Sequence, residues 1–212
     1  MIIAIESASS DPSIALAAPD GAAFAVDGWA GEGRRASELL PHLLALLARS
    51  GRELREATAL AVGVGPGSFT GLRVSMSLAK GIAYALAVPL VGVPSLAAWL
   101  LAEPEAVAAV ARAGAQETYL LPRDEAEPQI VHGAELSALL GSSLVIAPSE
   151  LASAFGVVNA RSPSTAAAAI ASLAVERLAE IPGGDDLERL EPAYLRAPRG
   201  IGLSSAEVRP WP

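Results

Sequence analysis

The chain has 212 residues, a formal charge of -8, no Cys and two His, and 52% of it is apolar. That composition excludes a disulfide framework and a thiol nucleophile, leaves little for a zinc site, and argues against a chain that grips nucleic acid with its own cations. Aromatics make up only 4%, so the core must be built from Ala, Leu and Val, which suits helices covering a sheet.

The opening run, 2–6, reads as a strand and 13–17 as its hairpin partner, joined by the polar loop Ser7 to Pro12. A third strand, 22–26, follows the turn Pro19-Asp20-Gly21. Three short strands in succession predict an antiparallel meander, not a dinucleotide-binding βαβ unit. The loop from Glu6 to Asp11 is acidic, so it would repel phosphate unless a divalent cation intervened. It is read as a plain hairpin loop, with a nucleotide site as the alternative. The start also lacks the basic region and cleavage site of a secretory signal, and every apolar run is cut before the ~20 residues of a membrane span. A cytoplasmic protein without a membrane anchor is expected.

After the basic, Gly-rich stretch that holds Arg34 and Arg35, a helix is predicted over 37–50. Leu39, Leu43 and Leu46 form one row and Leu40, Leu44 and Leu47 the next, with Glu38, His42 and Arg49 opposite. This apolar arc is wider than one sheet face needs, so the row of Leu40, Leu44 and Leu47 is assigned to another helix or another chain. His42 is read as an exposed helix residue and His132 as structural.

The run 60–64 has the length and β-branching of a buried strand, and it enters the corner Gly65-Pro66-Gly67-Ser68-Phe69-Thr70-Gly71-Leu72-Arg73. Pro66 lacks a backbone donor, Gly65 and Gly67 admit dihedrals closed to other residues, and Ser68 or Thr70 can cap the helix predicted over 70–87. No Gly-Lys-Ser/Thr ends the corner, so it is not a Walker A loop. Pro66 precedes Ser68 where a nucleophile elbow requires Gly. Gly65, Pro66, Gly67, Ser68, Thr70 and Gly71 are read as a structural turn aiming the helix, with direct anion contact at the helix start as the alternative. Along that helix Val74, Leu78 and Ile82 supply core bulk, and Arg73, Met76, Ser77, Lys80 and Tyr84 form a mixed stripe assigned to a protein partner.

A strand over 89–93 and a helix over 96–101 close the first unit. The pattern restarts near Pro104, which divides the chain into 1–102 and a smaller unit, 103–212. Short strands are predicted over 106–111, 117–121, 129–132 and 143–146. A helix with an Ala-rich body follows over 164–180, then a Pro-, Gly- and Ser-rich tail from Ala197.

Three blocks resemble the TsaB (YeaZ) family: Ile3-Ala4-Ile5-Glu6-Ser7-Ala8, the corner Gly65 to Arg73, and Glu191-Pro192-Ala193-Tyr194-Leu195-Arg196. The corner is the specific signature, whereas the opening strand is shared widely among actin-like ATPase folds. The chain departs from the family at Glu6, where Asp is usual, at Arg34-Arg35-Ala36 and at Val110-Ala111-Arg112, and its second half is short. The resemblance implies an α/β protein of two actin-like, ribonuclease H-like halves with mixed sheets, the second reduced. It further implies a non-catalytic subunit that pairs with TsaD in forming N6-threonylcarbamoyladenosine beside the anticodon of tRNA. By the same resemblance TsaE, an ATPase, visits the complex and tRNA is met through it. ATP and a metal ion belong to the partner subunits, and no catalytic residue or cofactor lies on this chain. A homodimer is expected when the chain is alone. The alternative reading is an enzyme acting alone, either an actin-like ATPase or a peptidase.

Overall fold

The computed structural model describes residues 1–29 and 38–193. Arg34, Arg35, Tyr194, Leu195 and Arg196 and the tail from Ala197 lie outside the described residues. The first sheet joins β1 (Ile2–Glu6), β2 (Ser13–Ala17), β3 (Ala23–Gly28), β4 (Ala59–Gly63) and β5 (Leu90–Val93). Its strand order is β3-β2-β1-β4-β5, antiparallel through the meander and parallel from β1 outward to β5.

The second sheet repeats that plan. It comprises β6 (Ala108–Arg112), β7 (Glu117–Pro122), β8 (Gln129–His132), β9 (Val145–Ile146) and β10 (Ala160–Arg161). Read from β8 its order is β8-β7-β6-β9-β10, again a meander followed by two parallel strands. The molecule is therefore two topologically equivalent α/β halves. The second is reduced: β9 and β10 have two residues each, and α4 (Leu136–Leu140) and α5 (Ser149–Ala154) are short.

Alternation along the first sheet separates two layers. Ile3, Ile5, Ile14, Leu16, Leu60 and Val62 face one side, where they pack with α1 (Leu39–Arg49) and α2 (Phe69–Leu86). Ala4, Ala15, Ala17, Ala59 and Ala61 face the other, against α6 (Ala166–Glu180), which answers with Ala167, Ala169, Ala171 and Ala174. Small residues on both surfaces let this helix lie close to the sheet. The large side chains gather under α1 and α2.

The last helix of each half crosses to the other half. The helix α3 (Ser95–Ala102) follows β5 but sends Leu96, Trp99 and Leu100 into a cluster with Ala109, Ala111 and Tyr119 of the second sheet. The helix α6 follows β10 but covers the first sheet. The expected boundary at residues 102 and 103 therefore needs correction, because α6 belongs structurally with the first sheet. So does the segment after it, in which the Asp185 amide donates to the Leu90 carbonyl (2.8 Å), the Asp185 carboxylate accepts from the Gly92 amide (2.7 Å), and the Ala193 amide donates to the Val64 carbonyl (2.7 Å). The bonds to Leu90 and Gly92 lie along β5, the outer strand on that side, and the bond to Val64 lies just past the end of β4.

Between the halves, the Arg123 guanidinium donates to three carbonyls, Ala106 (2.7 Å), Leu100 (3.0 Å) and Glu103 (2.7 Å). A cation at the end of α3 complements the helix dipole while satisfying carbonyls that the helix leaves open. The crossing of the halves is thus held by packing and by charge together.

Candidate functional site

The Gly65 to Arg73 corner links β4 to α2 and sits on the loop after β1. Ser68 caps α2, its hydroxyl accepting from the Gly71 amide (3.2 Å), while its own amide donates to the Ala8 carbonyl (2.6 Å). The Ser7 hydroxyl donates to the Gly71 carbonyl (2.8 Å), and Ser95 brackets Gly65 by accepting from its amide at Oγ and donating to its carbonyl through N, both at 3.0 Å. A Cβ at Gly67 would land on the Ala8 carbonyl, and one at Gly71 on the Ser7 carbonyl. Close approach of two backbones explains these glycines. Gly65, at φ +96°, occupies a conformation that side chains rarely adopt.

Gly71 and Gly81 lie on the same helix and differ in what surrounds them, since nothing lies within 4 Å of a Cβ at Gly81. Gly71→Ala is expected to destabilise the fold by about 1 to 3 kcal/mol through overpacking, and Gly81→Ala to stabilise it by up to about 1 kcal/mol through helix propensity. Urea denaturation of both variants checks this, and equal effects would show that the loop contact is dispensable.

Beyond the corner, a cleft of about 410 Å³ runs between the halves, lined by Ser9, Ser10, Ser68, Thr70, Arg112 and Glu150 among others. Phe69 stands exposed beside it with the Arg73 guanidinium 4.5 Å from its ring centre. Actin-like enzymes hold a nucleotide and a divalent cation in such a cleft. Here the two acidic residues of the loop after β1 are turned inward. Glu6, at the end of β1, is fully buried, and its carboxyl accepts from the Ala8 amide (2.6 Å). Asp11 is buried too and accepts from the Ser162 hydroxyl of the opposite half (2.7 Å). No group of three or more His, Cys, Asp or Glu among the described residues is placed to hold a metal ion.

The structure divides the residues expected to meet a partner. Leu40 and Leu44 are 43% and 50% exposed on the outer side of α1, and Tyr84 is 83% exposed on α2. Arg73 and Ser77 are exposed on that side of α2, and Lys80 is half-buried. Because α1 and α2 cover the same sheet face, their outer sides point away from the sheet in the same sense. Leu47 and Met76 require correction: both are 3% exposed and belong to the core, Met76 falling on the same helix arc as Leu72, Ala79 and Ala83.

His42 also departs from its expected exposed place. Its ring stacks on Trp29 with centroids 3.8 Å apart, and Nδ1 lies 2.8 Å from Asp27 Oδ2, which ties α1 to β3. Arg49 adds a second contact to Asp27 at 3.4 Å. Sequence reasoning missed this link. The only available signal was an acidic residue closing an otherwise apolar strand.

These features match known proteins. Residues 34–136 fit the family model described as TsaD, tRNA N6-adenosine threonylcarbamoyltransferase. The structure aligns with that of YeaZ from Pseudomonas aeruginosa at a TM-score of 0.66 and 23% identity, covering 92% of this chain and 99% of that one. The fold is accordingly the α/β class of two actin-like halves. At the level of sequence, the chain is 36% identical over 112 residues to the tRNA threonylcarbamoyladenosine biosynthesis protein TsaB of Escherichia coli, covering 50% of this chain and 48% of that protein. It is 40% identical over 86 residues to the protein of the same name from Haemophilus influenzae, covering 38% and 36%. The aligned stretches span half or less of these curated relatives. Together the matches support assignment of the chain to the TsaB (YeaZ) family.

Proposed function

We propose that this chain is a non-catalytic subunit in the formation of N6-threonylcarbamoyladenosine in tRNA, docking on TsaD through the outer sides of α1 and α2 and holding it in an active shape. The observation that carries the reading is the pair of helices on one sheet face that leaves Leu40, Leu44 and Tyr84 exposed. Apolar side chains exposed on two helices of one sheet face, with Arg73 and Lys80 on the second of them, have the make-up of an interface core with a polar rim. The loop beside the cleft supports the same reading from the other direction, because its Glu6 and Asp11 carboxylates are buried and accept from the Ala8 amide and the Ser162 hydroxyl inside the protein.

In this reading the ATP and the metal ion are held by the partner subunits, TsaE joins transiently, and tRNA is met through the assembled complex in the cytoplasm. Alone, the chain covers its apolar helix faces by pairing with a second copy. No helix among the described residues is long and apolar enough to cross a membrane.

Reconstitution tests the proposal. TsaD and TsaE from the same organism are combined with tRNA, ATP and the threonylcarbamoyl donor, with and without this chain, and modified adenosine is measured. Product at background level on omission supports the role. An unchanged rate removes it.

A further inference from the structure

The segment that follows α6 covers the free edge of the first sheet. On β5 the Pro89 and Val93 carbonyls accept from Leu60 and Val64, so the backbone groups of Leu90 and Gly92 point outward, as on any edge strand. Asp185 meets both. Its amide donates to the Leu90 carbonyl (2.8 Å), and its carboxylate accepts from the Gly92 amide (2.7 Å), where a neighbouring strand would supply a carbonyl. The other carboxylate oxygen accepts from Arg177 Nη2 on α6 (2.8 Å). Further along the segment, the Ala193 amide donates to the Val64 carbonyl (2.7 Å), at the entrance to the Gly65 corner.

The middle of the segment is held less firmly than its ends. Asp186 organises a turn within it, its carbonyl accepting from the Leu190 amide (2.8 Å) and its carboxylate from the Glu188 amide (2.9 Å). Leu187 and Leu190 pack partly buried against the core that α2 covers. A cavity of about 250 Å³, lined by Val64 and Gly92 of the sheet and by Leu190 and Pro192 of the segment, lies between the two. Empty space forfeits dispersion contacts, so the hold rests on the ends. The approach from α6, Ile181-Pro182-Gly183, is exposed, and nothing lies within 4 Å of a Cβ at Gly183. Gly184, at φ +78°, turns so close to β5 that a Cβ there would lie 2.7 Å from the Leu90 backbone.

We propose that residues 185–193 form a strap that opens and closes as one unit over β5, hinged at Gly183 and Gly184 and latched by Asp185. The hinge absorbs the change of direction, and the Asp186 turn keeps the strap folded on itself when it leaves. Asp185 joins strap, β5 and α6 at one point. Arg177 reaches it through a single nitrogen, its buried Nε having no partner, so release of that point frees both edge groups of β5 together. Opening also takes the partner from the Val64 carbonyl and lifts Leu187 and Leu190 off the core, which loosens the entrance to the corner with the edge of the sheet. Units of this kind open at less cost than the whole fold. The strap does not depend on the identity of the partner protein.

Hydrogen exchange of the full chain in dilute urea tests the strap. The amides of Gly92, Asp185 and Ala193 are expected to exchange through one opening, with a single free energy and a single urea dependence, both smaller than those of the amides in β1 and β4. Asp185→Asn keeps an acceptor for Gly92 and gives up the ion pair with Arg177. It should speed exchange at all three amides by roughly tenfold and leave β1 and β4 unchanged. Three separate opening free energies, or exchange only with the global unfolding of β1 and β4, would overturn the strap. So would an Asn variant in which the three amides do not respond together, or in which β1 and β4 respond equally. The wild-type pattern distinguishes a strap from a fixed edge even where the variant does not fold.

Discussion

Replacing Glu6 by Gln is expected to change how stability depends on pH more than any other single substitution in this core. Desolvation by full burial pushes the Glu6 carboxyl from its ordinary 4.5 up to about 7, against smaller opposing effects from the Ala8 amide, Ser95, Trp99 and the Ser7 amide. The folded state therefore keeps its proton where the unfolded chain has already lost it. Stability contributed by the neutral acid is fully present below pH 4.5 and falls as the pH rises through 7. That window is worth about 3 kcal/mol. Gln cannot ionise, so the difference in unfolding free energy between Glu6→Gln and the wild type should grow in favour of Gln by about that amount between pH 4.5 and pH 8. Urea denaturation across the range measures it, and other carboxylates cancel because both proteins carry them. A difference independent of pH would mean that Glu6 is solvated.

Glu6 also marks how far the sequence can be read. An apolar run ending in a carboxylate was visible, but its burial depends on Ser95 and Trp99, more than 80 residues later, and on Gly63 giving up its side chain. The strands of the first sheet were legible because each is an apolar run bounded by turn residues, and β1 and β2 fall where the pattern places them. In the second half, α4, α5 and β10 are too short to complete a helical or strand period, so no pattern announced them. The long helix α6 was legible as a helix but its destination was not. An Ala-rich surface says that something packs closely without saying which sheet supplies the other side.

The same limit divides the residues assigned from the sequence to a partner surface. Leu40 and Leu47 share an apolar row in the sequence, yet the sheet below takes Leu47 and leaves Leu40 out. Met76 falls beside Arg73 and Lys80 in a mixed stripe, but the arc centred on Ala79 draws it inward. Periodicity defines a face, and the width that is buried depends on the neighbours. His42 illustrates the converse, because Trp29 and Asp27 reach it from β3 and half-cover a residue that its own helix would leave exposed.

Leu44→Arg and Tyr84→Arg should each weaken docking on TsaD by about 2 kcal/mol, roughly 30-fold, because a charge would be buried where an apolar contact stood. Both side chains are half or more exposed in the free chain, so folding stability should move by no more than about 0.5 kcal/mol. Met76→Ala is the contrasting case, with an expected loss of about 2 to 5 kcal/mol of stability from a cavity in the core. Val158→Arg, an exposed site in the second half, should leave both properties unchanged.

The most direct test is a calorimetric titration of TsaD from the same organism into this chain, wild type and Leu44→Arg side by side. The predicted result is a one-to-one complex with the wild type and a loss of about 30-fold in affinity for the variant. No binding by the wild type, or equal binding by both, would contradict the assignment of the α1 and α2 face as the docking surface.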